Sequence, residues 1–366
     1  FTGTAGATDV LTFDGDAIVA TGRTTVTGFE TIRFDHIGES DFDASGVSGV
    51  TAYEFVETGH TNNGFFSLNH LRSTETVRIN IDDFGGGHGI ADDIEFEFAS
   101  ASATAGSKLN LEFYDTNPSN ANDVGFADNG IAVRGFQTID LTLGGGAGTV
   151  ENYTFDFTFQ DANGKDVTTP PAVPATDFDF AKVAATNFVV NGGQSTVATS
   201  IAGTNDTVDL GNLSATLKMI DLSGYKGEVT AALDNPFVAG DSFSAPTATS
   251  GNTLVKVNGF ELNFTDADHV DATITTFQFT TDAVHASQDW IIGNFQGFNG
   301  GGSLSNLSIL DLSALGVNGL VDIILTDVGG PGGDVHITSN EGKLFEIVLT
   351  GVAAADLSNE NFKFAA

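Results

Sequence analysis

Short acidic side chains cluster in Gly-rich and Asn-rich segments of this sequence. The densest segment runs Asp82-Asp83-Phe-Gly-Gly-Gly-His-Gly-Ile-Ala-Asp92-Asp93, where two Asp pairs flank a Gly-rich turn. Because Gly permits tight turns, the segment can fold four carboxylates onto one ion. Calcium takes about six to eight oxygen ligands from carboxylates, amide side chains and carbonyl groups. We therefore predict calcium ligands at Asp82, Asp83, Asp92 and Asp93, with a solvated hairpin loop as the alternative.

Two further segments combine Asp with Asn or with a second Asp at short spacing. The first alternates Asp, Asn and Ser but lacks the Gly and terminal Glu of an EF-hand loop. In the second, a spacing of two places two carboxylates on one side of an extended chain. The calcium ligands predicted in these segments are Asp115, Asn117, Asp123, Asp128, Asp266, Asp268 and Asp271.

Other acidic pairs are weaker candidates. Asp161, Asn163 and Asp166 are explained by the chemistry of a hairpin turn alone, because Asn163-Gly164 favours positive φ. The Asp-x-Asp spacing also occurs at positions 14 and 16 and at positions 41 and 43, but we single out none of these residues as a ligand.

The charge balance favours a cation-dependent protein. The chain has 13 Lys and Arg against 48 Asp and Glu, a net charge of −35, and 34 of the acids are Asp. Such a field repels nucleic acid and anionic membranes, and it opposes compaction unless cations neutralise it. An acidic surface of the halophilic type is the alternative explanation. The absence of Cys excludes thiol catalysis and Cys-based metal sites, and it suits an exported bacterial protein.

The pattern of apolar residues predicts an all-β protein. Short segments rich in β-branched and aromatic residues recur between Gly, Asn and Asp, and helical periodicity is nearly absent. This spacing predicts β-sandwich domains, irregular β-solenoid domains or both, with Asp/Gly-rich loops. The predicted strands cover 30–34, 52–56, 76–81, 94–98, 109–113, 138–143, 153–159, 217–222, 254–264, 274–279, 320–325 and 344–349.

A Pro-rich segment predicts the domain boundary. Three Pro within Pro170–Pro174 cannot lie in a central strand, so we predict a linker over 169–176. An N-terminal β domain over 1–168 precedes it, and a C-terminal β domain over 177–366 follows it. Two pairs of similar segments indicate repeated coils. Residues 28–34 resemble residues 135–141, and residues 219–223 resemble residues 309–313.

The C-terminal region carries a family resemblance. Asp289-Trp-Ile-Ile-Gly-Asn-Phe295, then Leu310-Asp-Leu-Ser-Ala-Leu-Gly316, resembles a passage near the end of many RTX-type, type I secreted bacterial proteins. The C-terminal segment from Ile347 to Phe364 is similar to the terminal segment of these secreted proteins. The resemblance implies calcium binding and an uncleaved C-terminal export region, over about residues 285–366 of this chain.

The N-terminal half adds a second resemblance, and one motif departs from the first. Residues 27–32 and 43–50 resemble the Gly/Thr/Asp-rich segments of bacterial surface-layer and matrix proteins. The repeated nonapeptide of RTX β-rolls is missing: the run from Gly329 to Asp334 has its Gly and Asp, but His336 replaces the large apolar residue. A tandem β-roll with rows of calcium ions is therefore not predicted.

These observations predict a calcium-dependent structural protein, extracellular or at the cell surface, that self-assembles as a homo-oligomeric lattice or filament and forms a surface layer, filament or biofilm matrix. We predict no catalysis, because the seven His form no close metal pair and no nucleophile elbow or phosphate-binding loop occurs. No apolar run approaches the length of a membrane span. An adhesin that binds glycans, such as cell-surface polysaccharide, is the alternative, with Trp290 and Tyr114 as its candidate contacts. A fragment of a secreted hydrolase is a third hypothesis.

Overall fold

The structure of this chain is a computed structural model. The described residues are 2–3, 9–14, 25–35, 40–57, 66–80, 94–98, 106–114, 123–125, 131–144, 152–155, 157–160, 186–192, 206–213, 217–233, 251–257, 262–266, 273–279, 289–298, 307–329, 333–340 and 345–365.

Regular structure in these residues is β-strand, with short 3-10 turns and no α-helix. The strands are β1 (Val10–Asp14), β2 (Val26–Thr27), β3 (Thr31–Asp35), β4 (Ser40–Asp43), β5 (Val47–Ser48), β6 (Ala52–Glu57), β7 (Phe66–Leu71), β8 (Thr76–Asn80), β9 (Ile94–Phe98), β10 (Lys108–Tyr114), β11 (Asp123–Gly125), β12 (Ile131–Arg134), β13 (Thr138–Leu143), β14 (Asn152–Thr154), β15 (Phe157–Gln160), β16 (Asn187–Gly192), β17 (Thr207–Leu213), β18 (Met219–Tyr225), β19 (Glu228–Leu233), β20 (Gly251–Lys256), β21 (Leu262–Thr265), β22 (Thr273–Gln278), β23 (Asp289–Gly293), β24 (Leu307–Asp311), β25 (Ile323–Val328), β26 (Asp334–Ser339), β27 (Glu346–Thr350) and β28 (Phe362–Lys363). The 3-10 turns are Ala44–Gly46, Ser313–Leu315, Leu320–Asp322, Ala354–Asp356 and Asn359–Asn361.

The chain divides into two compact units. The first comprises Phe1–Val167 with Ala181–Phe188, and the second comprises Thr168–Phe180 with Val189–Ala366. The predicted linker over 169–176 lies outside the described residues.

The first unit is a stack of β-coils. One sheet runs in the order β1-β3-β6-β8-β10-β13 and another in the order β4-β7-β9-β12-β15, and every pair in both sheets is parallel. The chain alternates between these two sheets as it advances. Each turn of the chain therefore adds a strand to each sheet, as in a solenoid.

The second unit repeats this plan and adds a hairpin. One sheet runs in the order β18-β20-β22-β24-β28, with parallel pairing throughout. The other runs in the order β17-β19-β21-β23-β27-β26-β25, and only its last two pairings are antiparallel. Strands β25 and β26 thus form a hairpin that extends the sheet beyond β27.

Aromatic residues in register form the core of the first unit. Phe13, Phe34 and Phe55 occupy successive rungs of β1, β3 and β6, with ring centroids 6.0 Å and 5.1 Å apart. Phe42, from the opposite sheet, meets Phe34 at 5.2 Å. Alternate residues of each strand point inward, so stacked coils bury one continuous apolar face.

The similar segments 28–34 and 135–141 lie at two equivalent corners of the coils. The Glu30 carboxylate accepts a hydrogen bond from the Asp9 amide (2.7 Å), and the Gln137 side-chain oxygen accepts one from the Gly106 amide (2.8 Å). The glycine two residues before each has a positive φ of 78° or 84°. Side-chain oxygens at these corners satisfy backbone amides of the preceding coil.

The all-β prediction is confirmed, and the parallel pairing identifies the irregular solenoid among the predicted alternatives. Three predicted strands were wrong in extent. In segment 320–325, Leu320–Asp322 form a 3-10 turn, and β25 begins only at Ile323. Segment 153–159 contains β14 and β15, which lie in different sheets, and segment 254–264 contains β20 and β21, which also lie in different sheets. A continuous apolar pattern at a coil corner resembles one long strand, because both sides of the corner face the same core.

Candidate functional site

The predicted calcium ligands fall mostly outside the described residues. Asp123 is described as the first residue of β11, paired with Asn152 of β14. Asp266 is described directly after β21. The predicted ligands outside the described residues are Asp82, Asp83, Asp92, Asp93, Asp115, Asn117, Asp128, Asp268 and Asp271.

Asp266 belongs to a buried polar network that joins successive coils of the second unit. Its side chain is 1% exposed, and its Oδ2 atom accepts a hydrogen bond of 2.7 Å from the Ser308 hydroxyl. The Ser308 carbonyl accepts one from the Asn361 side-chain amide (2.9 Å), and Asn361 Oδ1 accepts one from the Phe298 amide (3.0 Å). This network fixes the last 3-10 turn of the chain, within the region that resembles an export signal. Ser308 and Asn361 follow no metal-ligand spacing, so the sequence alone does not point to them.

A row of alternating charges crosses the outer face of the first unit. Arg33, Glu54, Arg78 and Glu112 lie in register on β3, β6, β8 and β10. Arg33 binds Glu54 at 2.7 Å, while Arg78 lies 3.3 Å from Glu54 and 2.9 Å from Glu112. Opposite charges on neighbouring strands stabilise the pairing and oppose a shift of register.

A second row crosses the corresponding sheet of the second unit. Asp221, Lys256, Gln278, Asp311 and Lys363 lie in register on five successive strands. Both lysines bind the carboxylate of a neighbouring strand at 2.6 Å.

The two acids of this row accept the same hydrogen bonds from a serine two residues later and from a lysine on the neighbouring strand, which explains the similarity between residues 219–223 and 309–313. Asp221 Oδ1 accepts hydrogen bonds from the amide and hydroxyl of Ser223, and Asp311 Oδ1 accepts the same pair from Ser313. Burial alone would raise the pKa of each carboxyl group. Hydrogen bonds from lysine and serine outweigh burial and hold the pKa of Asp221 and Asp311 below the usual value.

Exposed large aliphatic side chains concentrate at one sheet edge, which we call the β25 edge. Among the described residues, five large hydrophobic side chains are exposed, and four of them lie in or directly before β25. They are Leu320 (39%), Val321 (80%), Ile324 (45%) and Val328 (45%). Strand β25 is the last strand of its sheet, and its outer edge pairs with no other described strand. An exposed strand edge with β-branched side chains is a template for pairing with another chain.

The two aromatic residues proposed for glycan contact are used inside the protein. Trp290 is 0% exposed and its ring lies 4.8 Å from that of Phe279. The Tyr114 hydroxyl donates a hydrogen bond of 2.9 Å to Glu54, and the Arg78 guanidinium lies 4.4 Å above the Tyr114 ring. Trp290 therefore has no face open to a sugar, and Arg78 covers one face of the Tyr114 ring.

Described histidines lie beside single carboxylates. His70 Nδ1 is 2.9 Å from Asp43, and His336 Nδ1 is 2.5 Å from Glu346. Within the described ranges, no three or more His, Asp or Glu side chains are grouped closely enough to hold a metal ion. The described part of the chain also contains no helix with the length and apolarity needed to cross a membrane.

Comparisons with known proteins add no family assignment. The chain matches no protein-family model, and neither the curated proteins nor the solved structures include a match to it.

Proposed function

We propose that this chain is an extracellular structural protein that self-assembles through the edges of its β-sheets, with calcium required for assembly. The observation that carries the proposal is the β25 edge, where exposed aliphatic side chains gather on a strand without an outer partner among the described residues. Soluble proteins usually blunt such edges with charge, proline or a covering segment. A strand edge that exposes aliphatic side chains and carries one charged residue, Asp327, suits a protein whose role is to join other chains.

Charge explains why assembly should depend on cations. Seven of the nine described Lys and Arg side chains already form ion pairs within the chain. The net charge of −35 already includes all 13 Lys and Arg, so two copies that approach each other repel. Cations from the solvent must reduce this repulsion, and a divalent ion can also bridge carboxylates.

Topology supports placing calcium at the first unit. The two richest predicted ligand segments begin directly after β8 and β10, which are neighbouring parallel strands. Their last residues, Asn80 and Tyr114, are paired in register. The two strands therefore end at adjacent positions of the sheet, and Asp82, Asp83 and Asp115 follow within a few residues in the sequence.

The extracellular location rests on the resemblance to RTX-type secreted proteins and on the absence of Cys. Calcium is scarce in the cytosol and abundant outside the cell. A ligand that binds only the folded state stabilises that state in proportion to its concentration. Calcium would therefore favour folding and assembly after export.

Light scattering tests this proposal. Purified protein is compared in calcium, in sodium chloride of matched ionic strength, and in a chelator. We expect the protein to associate in calcium, but not in sodium chloride or in the chelator. Association in sodium chloride without calcium would show that assembly does not require calcium. No association under any condition would contradict the structural role.

A further inference from the structure

We infer that the β25 edge binds the same edge of a second copy of this chain, antiparallel and about a two-fold axis that passes beside Thr326. This inference rests on the proposed function, since it names the joint through which copies assemble. Two identical strands that meet antiparallel present the same surface to each other, as a two-fold interface requires.

The residue pattern of β25 selects the register. With Thr326 opposite its own counterpart, Ile324 of each copy lies opposite Val328 of the other. Residues directly opposite in an antiparallel pair point to the same face. In β25 this face carries Ile324, Thr326 and Val328, all exposed. The register thus pairs aliphatic with aliphatic on both sides of a central Thr pair, and such β-branched pairs stabilise sheets.

The same register accommodates the only charged residue of β25. Asp327 lies opposite Leu325 of the second copy and not opposite its own counterpart. Its Oδ1 atom accepts a hydrogen bond of 2.7 Å from the Ala354 amide, so the carboxylate is held by its own chain. The two Asp327 backbones are nevertheless within about one Debye length, roughly 8 Å at physiological ionic strength. Cations therefore weaken the repulsion at this joint.

The size of the joint indicates how the copies are held. Strand β25 has six residues, which span about 20 Å. A single strand pair buries less than the roughly 1,200 Å² of a stable specific interface. The contact is therefore weak in an isolated pair, and it becomes stable where each copy has further neighbours, as in a lattice or filament.

Disulfide cross-linking tests the inference, because the chain contains no Cys. In the Thr326→Cys variant the two thiols face each other across the axis, with Cα atoms about 4.5–5.5 Å apart, within disulfide reach. Thr338→Cys is the matched control: Thr338 pairs with Ile324 and shares its face, but it lies one strand inside the sheet. Its copies would be about 20 Å apart, because they are separated by three strand spacings across the sheet and by four residues along it.

We expect the Thr326→Cys variant to form dimers under mild oxidation in calcium at least tenfold faster than the Thr338→Cys variant. A second pair of variants tests the apolar contact. Ile324→Asp should lower the association constant at least tenfold, whereas Thr230→Asp adds the same charge at an exposed position of β19 and should have little effect. Circular dichroism and the thermal midpoint verify that each variant is folded.

The outcomes separate this inference from the proposed function. Association of the wild-type chain with equal cross-linking at positions 326 and 338, or with no effect of Ile324→Asp, would overturn the β25 joint and leave self-assembly standing. A wild-type chain that never associates would overturn both.

Discussion

Lys363 Nζ lies 2.6 Å from Asp311 Oδ2, although the two residues are 52 positions apart in the sequence. Lys256 and Asp221, 35 positions apart, meet at the same distance. In both cases the lysine lies on the neighbouring strand of the sheet, and the aspartate is followed by Leu-Ser. The second unit therefore uses one side-chain arrangement twice to fix a strand in register.

Removal of either lysine should destabilise the second unit. In Lys363→Met, the Asp311 carboxylate stays buried and loses its cation, at a cost of about 1–2 kcal/mol in the free energy of unfolding. Lys218→Met is the control, because Lys218 is exposed and forms no ion pair with a described residue; its effect should stay within about 0.5 kcal/mol. Chemical denaturation followed by the fluorescence of the single Trp, the buried Trp290, measures both. Equal effects of the two variants would contradict the role of the Lys363–Asp311 pair.

Acid should destabilise the protein partly through these aspartates. Because the pKa of Asp221 and Asp311 is lower in the folded state, their contribution is complete above the unfolded pKa of about 4 and is lost as pH falls through the folded pKa. Asp311→Asn should therefore lower stability at neutral pH and flatten its decline below about pH 4. The measurement is the free energy of unfolding against pH. Parallel curves for wild type and variant would show that Asp311 does not contribute.

Two glycines at corners of the first unit should differ in their tolerance of a side chain. Both have positive φ, 78° at Gly28 and 86° at Gly49, so alanine costs about 1–2 kcal/mol at either. A Cβ atom at Gly28 would also lie 2.8 Å from the Gly3 carbonyl oxygen, whereas the nearest atoms to one at Gly49 are 4.0 Å away. Gly28→Ala should therefore lower the thermal midpoint more than Gly49→Ala. The reverse order would show that the close approach of Gly3 and Gly28 is absent in solution.

Calcium binding should depend most on the densest acidic segment. Changing Asp92 and Asp93 to Asn should weaken binding more than the same change at Asp161 and Asp166, since a facing acidic pair and a Gly-rich turn support only the first. Calorimetric titration measures the affinity, and magnesium should substitute poorly because it needs tighter geometry. Equal losses in the two double variants would contradict this ranking.

The sequence predicted the strand character of this chain but not how its strands pair. Short β-branched and aromatic segments are a local signal, so strands such as Ala52–Glu57 and Thr138–Leu143 were found within a residue or two. Pairing depends on distant residues, and the coil length varies: Arg33 and Glu54 are 21 positions apart, but Arg78 and Glu112 are 34 apart. Without a fixed period, no sequence pattern aligns Arg33, Glu54, Arg78 and Glu112 into one row.

In the candidate sites, too, features set by neighbouring residues could be predicted from the sequence, whereas contacts between distant residues could not. The repeated Asp-Leu-Ser at 221–223 and 311–313 was visible in the sequence, but its lysine partners come from other strands at different separations. The β25 edge could not be predicted, because segment 320–325 has the apolar pattern of a buried strand. Its position at the end of a sheet, and not its composition, leaves Ile324 and Val328 exposed.

The central claim is that this chain builds an extended assembly in the presence of calcium. Electron microscopy of the purified protein, with calcium and with a chelator, tests this claim most directly. We expect a periodic lattice or uniform fibres in calcium and dispersed particles in the chelator. Dispersed single particles under both conditions, at a concentration where the calcium sites are filled, would contradict the account.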